Sequence, residues 1–219
     1  MDLSEAVNNR RTIRKFLPEP ISADLVKKLI NNARWAPSWG NTQPCEFVVA
    51  TGTAVKTLRE ENRKALMAGI QSTPDFKMPE TWPPHLKLRY IDVGKSVLTS
   101  LEIAREDQQG RLDYYGDMFS LFEAPALLVV LIDKNLDPQY ALLDVGLFLQ
   151  TFMLLAHAEG LGTATLAASV HYPDIVRRLL PVPPDKKLVI GVAIGRPDLK
   201  APVNSFKRNR ASIEDLIHS

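Results

Sequence analysis

The apolar stretch Tyr140-Ala-Leu-Leu-Asp-Val-Gly-Leu-Phe-Leu-Gln-Thr-Phe-Met-Leu-Leu-Ala-His-Ala-Glu159 constrains the fold of this chain more than any other segment. It reads as a helix opened by Asp137-Pro138 and stopped by Gly160, with apolar side chains on nearly every face, so it must be buried. Asp144, Gln150, Thr151, His157 and Glu159 interrupt it, and no stretch reaches the ~18 uninterrupted apolar residues of a membrane span. A core helix is therefore expected, and no membrane segment. Asp144, Thr151 and Ala158 recur at heptad spacing and share one face. That small, mildly polar stripe suits close packing against a second copy, which points to a homodimer.

At 219 residues and 45% hydrophobic content the chain can bury a full core as one domain, or as one domain with an arm. Lys and Arg number 27 against 25 Asp and Glu, a formal charge of +2 that carries no global nucleic-acid signature. The single Cys45 excludes an internal disulfide and any CxxC site. His85, His157, His171 and His218 never fall at the spacing of a helical metal pair, so no metal is expected. The first residues, Met1-Asp2-Leu3-Ser4-Glu5, lack the apolar region of a secretory signal, and a cytoplasmic location is the expectation.

Periodicity and punctuation divide the rest. Residues 3–9 read as a short helix, residues 22–35 as a helix capped by Ser22, residues 45–50 as a strand and residues 53–70 as a charged amphipathic helix. Residues 71–84, with four prolines and Phe76, Met78 and Trp82, form a long insertion of the kind that serves as a lid or as a surface excursion. A long helix over 86–109 is expected, with Leu88, Ile91, Val97, Leu98, Leu101 and Ile103 as buried candidates, then a short helix over 114–122. Strands are read at 126–133, 162–167 and 188–194, with a short helix at 172–180. Residues 198–219 have no core of their own and should fray or lie on another subunit. Two glycine motifs are decoys. Gly94-Lys95-Ser96 lies mid-helix without the upstream glycine of a phosphate loop, and Gly160-Leu161-Gly162 precedes a strand instead of following one.

Two segments carry chemistry. Arg10-Arg11-Thr12-Ile13-Arg14-Lys15-Phe16 gathers the forked, permanently charged donors that a phosphorylated cofactor needs, although a solvated basic loop has the same composition. Ala36-Pro37-Ser38-Trp39-Gly40-Asn41-Thr42-Gln43-Pro44 is a loop whose amides and hydroxyls suit a heteroaromatic ligand, or a turn in which Asn and Gly tolerate positive φ.

Together with Glu159-Gly160-Leu161-Gly162-Thr163 and Gly195-Arg196-Pro197 before a basic tail, these segments resemble the flavin-dependent nitroreductase family over essentially the whole chain. The region 71–110, with Arg105, Asp107 and Arg111, is similar to the nitrobenzoate-reductase-like branch. The resemblance implies an α+β homodimer with a mostly antiparallel central sheet flanked by helices. It divides the chain into an FMN-binding domain at 1–197 and an arm at 198–219 that adds a strand to the partner subunit. It also implies non-covalent FMN, with NAD(P)H as co-substrate. By that resemblance Arg10, Arg11, Thr12 and Arg14 hold the flavin, Arg10 at the phosphate and Arg14 at the pyrimidine edge. Pro37, Ser38, Trp39 and Asn41 come from the other subunit, Leu166, Ala167 and Ala168 offer backbone N–H groups to the ring, and Arg208 and Arg210 lie near the phosphate. Cys45 stands where relatives often have Trp, and Ala167-Ala168 where Glu-Gly is common.

The implied activity is reduction of nitroaromatic or quinone-like acceptors by a ping-pong mechanism, with the flavin performing the chemistry and no catalytic side chain required. Phe76 and Trp82 are expected to cover the acceptor. The same fold and flavin also serve enone reduction, reductive dehalogenation and flavin fragmentation, or a non-catalytic flavin-binding dimer.

Overall fold

The computed structural model describes residues 1–217; His218 lies outside them. The elements run α1 (Leu3–Asn9), α2 (Ala23–Ala33), β1 (Glu46–Thr51), α3 (Gly52–Met67), α4 (Pro84–Ser100), α5 (Gln108–Phe119), β2 (Ala126–Asp133), α6 (Pro138–Ala158), β3 (Gly162–Leu166), α7 (Pro173–Leu179) and β4 (Lys186–Gly195). The strands form one sheet in the order β1-β2-β4-β3 with every neighbouring pair antiparallel, so the fold is α+β.

Strand β2 is a continuous apolar run because both of its faces are covered. Ala126, Leu128, Val130 and Ile132 point to one face, where they meet Val26 and Leu29 of α2 and Val145, Phe148 and Phe152 of α6. Leu127, Val129 and Leu131 point to the other, against Val55 and Leu58 of α3 and Val176 of α7. The layers are thus helix, sheet, helix.

Helix α6 is buried along only one of its sides. Ala141, Asp144, Val145, Phe148, Leu149, Phe152 and Ala156 face inward, whereas Leu143 and Leu147 are 58% and 38% exposed. By length and composition α6 could cross a membrane, yet its inner face lies on the sheet. The expected small stripe is also displaced. Asp144 is buried and accepts from the Trp39 backbone N–H at 3.1 Å, so the outward stripe is Leu143, Gly146, Leu147 and Gln150.

The single helix expected over 86–109 is two. Leu101 ends α4, Glu102 takes φ 58°, and Glu102 and Ile103 donate backbone N–H groups to the Thr99 and Leu98 carbonyls, a left-handed helix stop made without glycine. Asp107 then restarts the chain, its carboxylate accepting from the Gly110 N–H at 2.8 Å. Of the apolar positions expected to be buried in this region, Val97 is buried, whereas Leu88 and Ile91 are 64% and 50% exposed.

The N-terminal run lies along the edge of the sheet. Thr12 bridges Thr163 in parallel, the Ile13 N–H donates to the Thr163 carbonyl at 2.9 Å, and Phe16 bridges Pro197. This close approach needs a residue without a side chain at 162, since a Cβ there would sit 2.6 Å from Ile13 Cγ1 and 3.0 Å from its Cβ. Neither atom is the free end of a flexible chain. Gly162→Ala should therefore destabilise the protein by about 1–3 kcal/mol through overpacking, read as a lower midpoint in thermal denaturation. An unchanged or raised midpoint would show that the run is not held against β3.

Candidate active site

The run 10–16 and the C-terminal segment meet through Asn204, a residue that sequence reading did not single out. Asn204 is 3% exposed, and every polar atom of its amide is used. Its Oδ1 accepts from the Arg14 backbone N–H at 2.7 Å, and its Nδ2 donates to the carbonyls of Lys15 and Asp198 at 2.8 and 2.9 Å. Arg11 donates to the carbonyls of Asn204 and Phe206, and Arg208 to those of Arg10 and Asn8. Hence residues 198–208 are bound to the chain's own N-terminus, while Ile213, Leu216 and Ile217 beyond them are about 60% exposed.

These bonds gather Arg10, Arg11, Arg208 and Arg210 on the wall of a cavity of about 720 Å³, with Thr12 and Arg14 also lining it. Burial and then Arg210 lower the Arg10 pKa, and burial followed by Arg11, Arg210 and Arg10 lowers that of Arg208. The cations are therefore held together against their mutual repulsion. Arg11 and Arg208 spend donors on backbone carbonyls, whereas the buried Nε of Arg10 has no hydrogen-bond partner among the described residues. The donor chemistry, the repulsion and the unmatched Nε all fit a bound phosphate. Arg14 lies with its guanidinium 5.9 Å from the Phe206 ring centroid.

Leu166 ends β3, with Ala167 and Ala168 directly after it, roughly 10 Å along the strand from the Thr163 that bridges Thr12, at about 3.3 Å per residue. Ala167 opens a 3-10 turn, closed by a hydrogen bond from the Ser169 hydroxyl to the Leu166 carbonyl at 2.6 Å.

The loop with Pro37, Ser38, Trp39 and Asn41 is elsewhere. Gly40, Asn41 and Gln43 adopt positive φ, the Ser38 hydroxyl accepts from the Gln43 N–H, and Trp39 stacks on Tyr140 at 5.5 Å. Asp144 fixes this loop to the N-terminal half of α6, and burial together with Asp144 pushes the neighbouring Cys45 thiol up to about 11. Arg10 instead lies by His157, whose pKa is lowered by burial and by Arg10. Asp144 and His157 are roughly 20 Å apart along α6 at about 1.5 Å per residue. One chain therefore carries the two halves of the expected site at opposite ends of one helix.

Phe76 is not at the cavity. Asp75 accepts from Arg177 at 2.6 Å and from the Leu188 N–H at 2.7 Å, which fastens this part of the insertion to α7 and β4. Phe76 then packs on the α2 and α6 side of the core beneath the Lys187 ammonium. Trp82 stacks on Tyr90 at 6.2 Å, and it is Tyr90 that lines a second cavity, next to Arg14.

A family model described as the Nitroreductase family matches residues 7–196. The chain is 33% identical to a 4-nitrobenzoate reductase of Pseudomonas putida, over 99% of this chain and 95% of that protein. It is 31% identical to a chloronitrobenzene nitroreductase of Comamonas testosteroni, over 98% and 95%. Among solved structures it is similar to the FMN and NADPH-dependent nitroreductase NfnB of Sphigopyxis sp. strain HMH, with a TM-score of 0.94 and 29% identity over 100% of this chain and 99% of that one. A second similar structure is the FMN-dependent nitroreductase NfnB of Mycobacterium smegmatis in complex with NADPH, with a TM-score of 0.90 and 29% identity over the same shares. With the family model spanning most of its length, the chain belongs to the nitroreductase family.

Proposed function

We propose that this protein is an FMN-dependent oxidoreductase that takes reducing equivalents from NAD(P)H and passes them to nitroaromatic or quinone-like acceptors, the two substrates binding in turn. The observation that carries the reading is the partly buried arginine cluster around Arg10, whose Nε lacks a hydrogen-bond partner among the described residues. Arg10 and Arg210 would hold the cofactor phosphate, while Arg11 and Arg208 keep the surrounding backbone in place. FMN bound there supplies hydride acceptance from the nicotinamide and delivery to the acceptor. Arg14 contributes a cation beside the ring, which favours a negative charge on it, and the backbone after Leu166 contributes N–H donors. The similar proteins named as FMN-dependent nitroreductases support this assignment.

The working unit in this reading is a homodimer. Residues 37–41 and the arginine cluster lie at opposite ends of α6, so a second copy must bring one end to the other. The outward stripe supports this. Gly146 is exposed in mid-helix, a Cβ on it would meet nothing within 4 Å, and an unneeded glycine there costs about 0.5–1 kcal/mol relative to alanine. A second helix crossing closely over Gly146, between Leu143 and Leu147, gives the glycine a reason. Exposed Ile213, Leu216 and Ile217 support the same reading for the end of the 198–219 arm, which would lie on the partner.

The purified protein should be yellow, bleach on anaerobic addition of NAD(P)H and regain its colour with a nitroarene. Apoprotein that takes up no FMN would refute the reading. Arg10→Gln should raise the FMN dissociation constant by about 10- to 150-fold, the equivalent of a charged hydrogen bond of ~1.5–3 kcal/mol, measured by titration of apoprotein.

Gly146→Arg, which has room within its own chain, should convert a dimer into a monomer in sedimentation at micromolar concentration and release FMN. A variant that remains a flavin-loaded dimer would place the interface elsewhere.

A further inference from the structure

The segment after β4 meets the N-terminal run twice, and one buried amide holds the second meeting. Residues 196–198 pair with the run first: the Leu17 N–H donates to the Arg196 carbonyl at 2.8 Å, and the Asp198 N–H to the Lys15 carbonyl at 3.0 Å. A 3-10 turn over Pro202–Asn204 follows, and the Asn204 side chain reaches back to the peptides of Arg14 and Lys15. The Lys15 carbonyl thus accepts from both Asp198 and Asn204.

Only an amide meets what this place requires. The Arg14 peptide presents a donor, the Lys15 and Asp198 peptides present acceptors, and at a buried position each needs a partner. A carboxylate lacks the donors, an ammonium lacks the acceptor, and a hydroxyl has one proton for two carbonyls. Asn204 lines the arginine cavity together with Arg10 and Arg210, yet both of its N–H groups are committed, so it has no donor to offer an anion there. Its influence on a bound phosphate must pass through other groups. Arg210 is exposed, and among the described residues its guanidinium donates to the carbonyl of Asn209, its own neighbour. Where Arg210 stands is therefore set by residues 205–208. Arg11 and Arg208 also bridge that segment to the run, but on long side chains, whereas Asn204 is the short and buried link.

We propose that Asn204 is a positioning residue for the cofactor phosphate: it sets the spacing between Arg10 and Arg210, and with it the affinity for the phosphorylated end of the flavin, without contacting that end. The proposal rests on the flavin reading above and adds to it a residue that acts through the two arginines. A phosphate that engages both must find them at one separation, and the two belong to segments nearly two hundred residues apart in the chain. With the amide in place that separation exists before the ligand arrives. Without it, the phosphate meets one segment and has to order the other.

The test titrates apoprotein with FMN and with riboflavin, which has the same ring and ribityl chain but no phosphate. The ratio of the two dissociation constants reads the phosphate alone. In Asn204→Ala the FMN constant should rise at least about 10-fold while that of riboflavin stays within about threefold of wild type. In the background of Arg210→Gln, an exposed substitution, the same change should weaken FMN by less than about threefold, because the contact it positions is already gone. Asn204→Gln keeps an uncharged amide and lengthens the link by one methylene. It should also weaken FMN selectively, and it provides the comparison if Asn204→Ala does not fold. Equal weakening of FMN and riboflavin, which is what a general loss of structure gives, overturns the proposal. So does an FMN constant within about twofold of wild type, or full additivity with Arg210→Gln. Wild-type apoprotein that takes up neither flavin overturns the proposal together with the flavin reading, whereas equal weakening in variants that still bind flavin leaves that reading intact.

Discussion

Strand β2 cannot be solvated on either face, and the rest of the architecture answers that constraint. Covering one face takes α3 and α7, and covering the other takes α2 and the inner side of α6. Once α6 is laid across the sheet, its length sets the distance between the two groups it carries, the Asp144-anchored loop and the His157 end beside Arg10. In the proposed reading, the same burial that stabilises the core keeps one chain from assembling the whole site. A core helix that is also apolar on its outer side leaves a surface few monomers tolerate, so in the proposed dimer folding and site completion would call for the same partner.

The parts legible in the sequence were those written in periodicity. The run 126–133, the capped helices opened by Ser22 and Asp137, and the basic run 10–16 were read close to their observed places. What escaped had no periodic signature. The stop at 101–107 uses Glu102 in the left-handed region where glycine is the usual sign, so an apolar pattern that continued across it looked like one helix. Composition gives α6 apolar residues on nearly every face and does not say which side lies on the sheet; Ala141, Val145, Phe148, Leu149, Phe152 and Ala156 do. Asn204 is a lone amide in a tail, and its importance exists only in the three backbone groups it reaches. The placement of Phe76 on the α2 and α6 side of the core was decided by the neighbouring Asp75 carboxylate, which Arg177 and the Leu188 N–H hold.

Six arginines lining one cavity, Arg10, Arg11, Arg14, Arg89, Arg208 and Arg210, raise the question of what holds such a cluster together. Backbone carbonyls supply the answer. Those of Asn8, Arg10, Asn204 and Phe206 accept from Arg208 and Arg11, which spreads partial negative charge through the cluster beside the Asp92 and Asp215 carboxylates that also line the cavity. A carboxylate in the same role would neutralise the site by ion pairing and leave an incoming phosphate to displace it. Arg10 and Arg210, which make no carboxylate pair among the described residues, keep their attraction for an anion while the backbone around them is already ordered, so less entropy is lost on binding.

Arg14 joins the two cavities, and its position explains how one cation can serve both. Its backbone N–H is committed to Asn204, its guanidinium lies near the Phe206 ring, and the Tyr114 phenol is close on the other side. Because the peptide is anchored, the side chain works from a fixed root, and charge accumulating on a ring beside it is stabilised without reorganising the loop. Asn204 thus holds the root of a cation that lines both cavities.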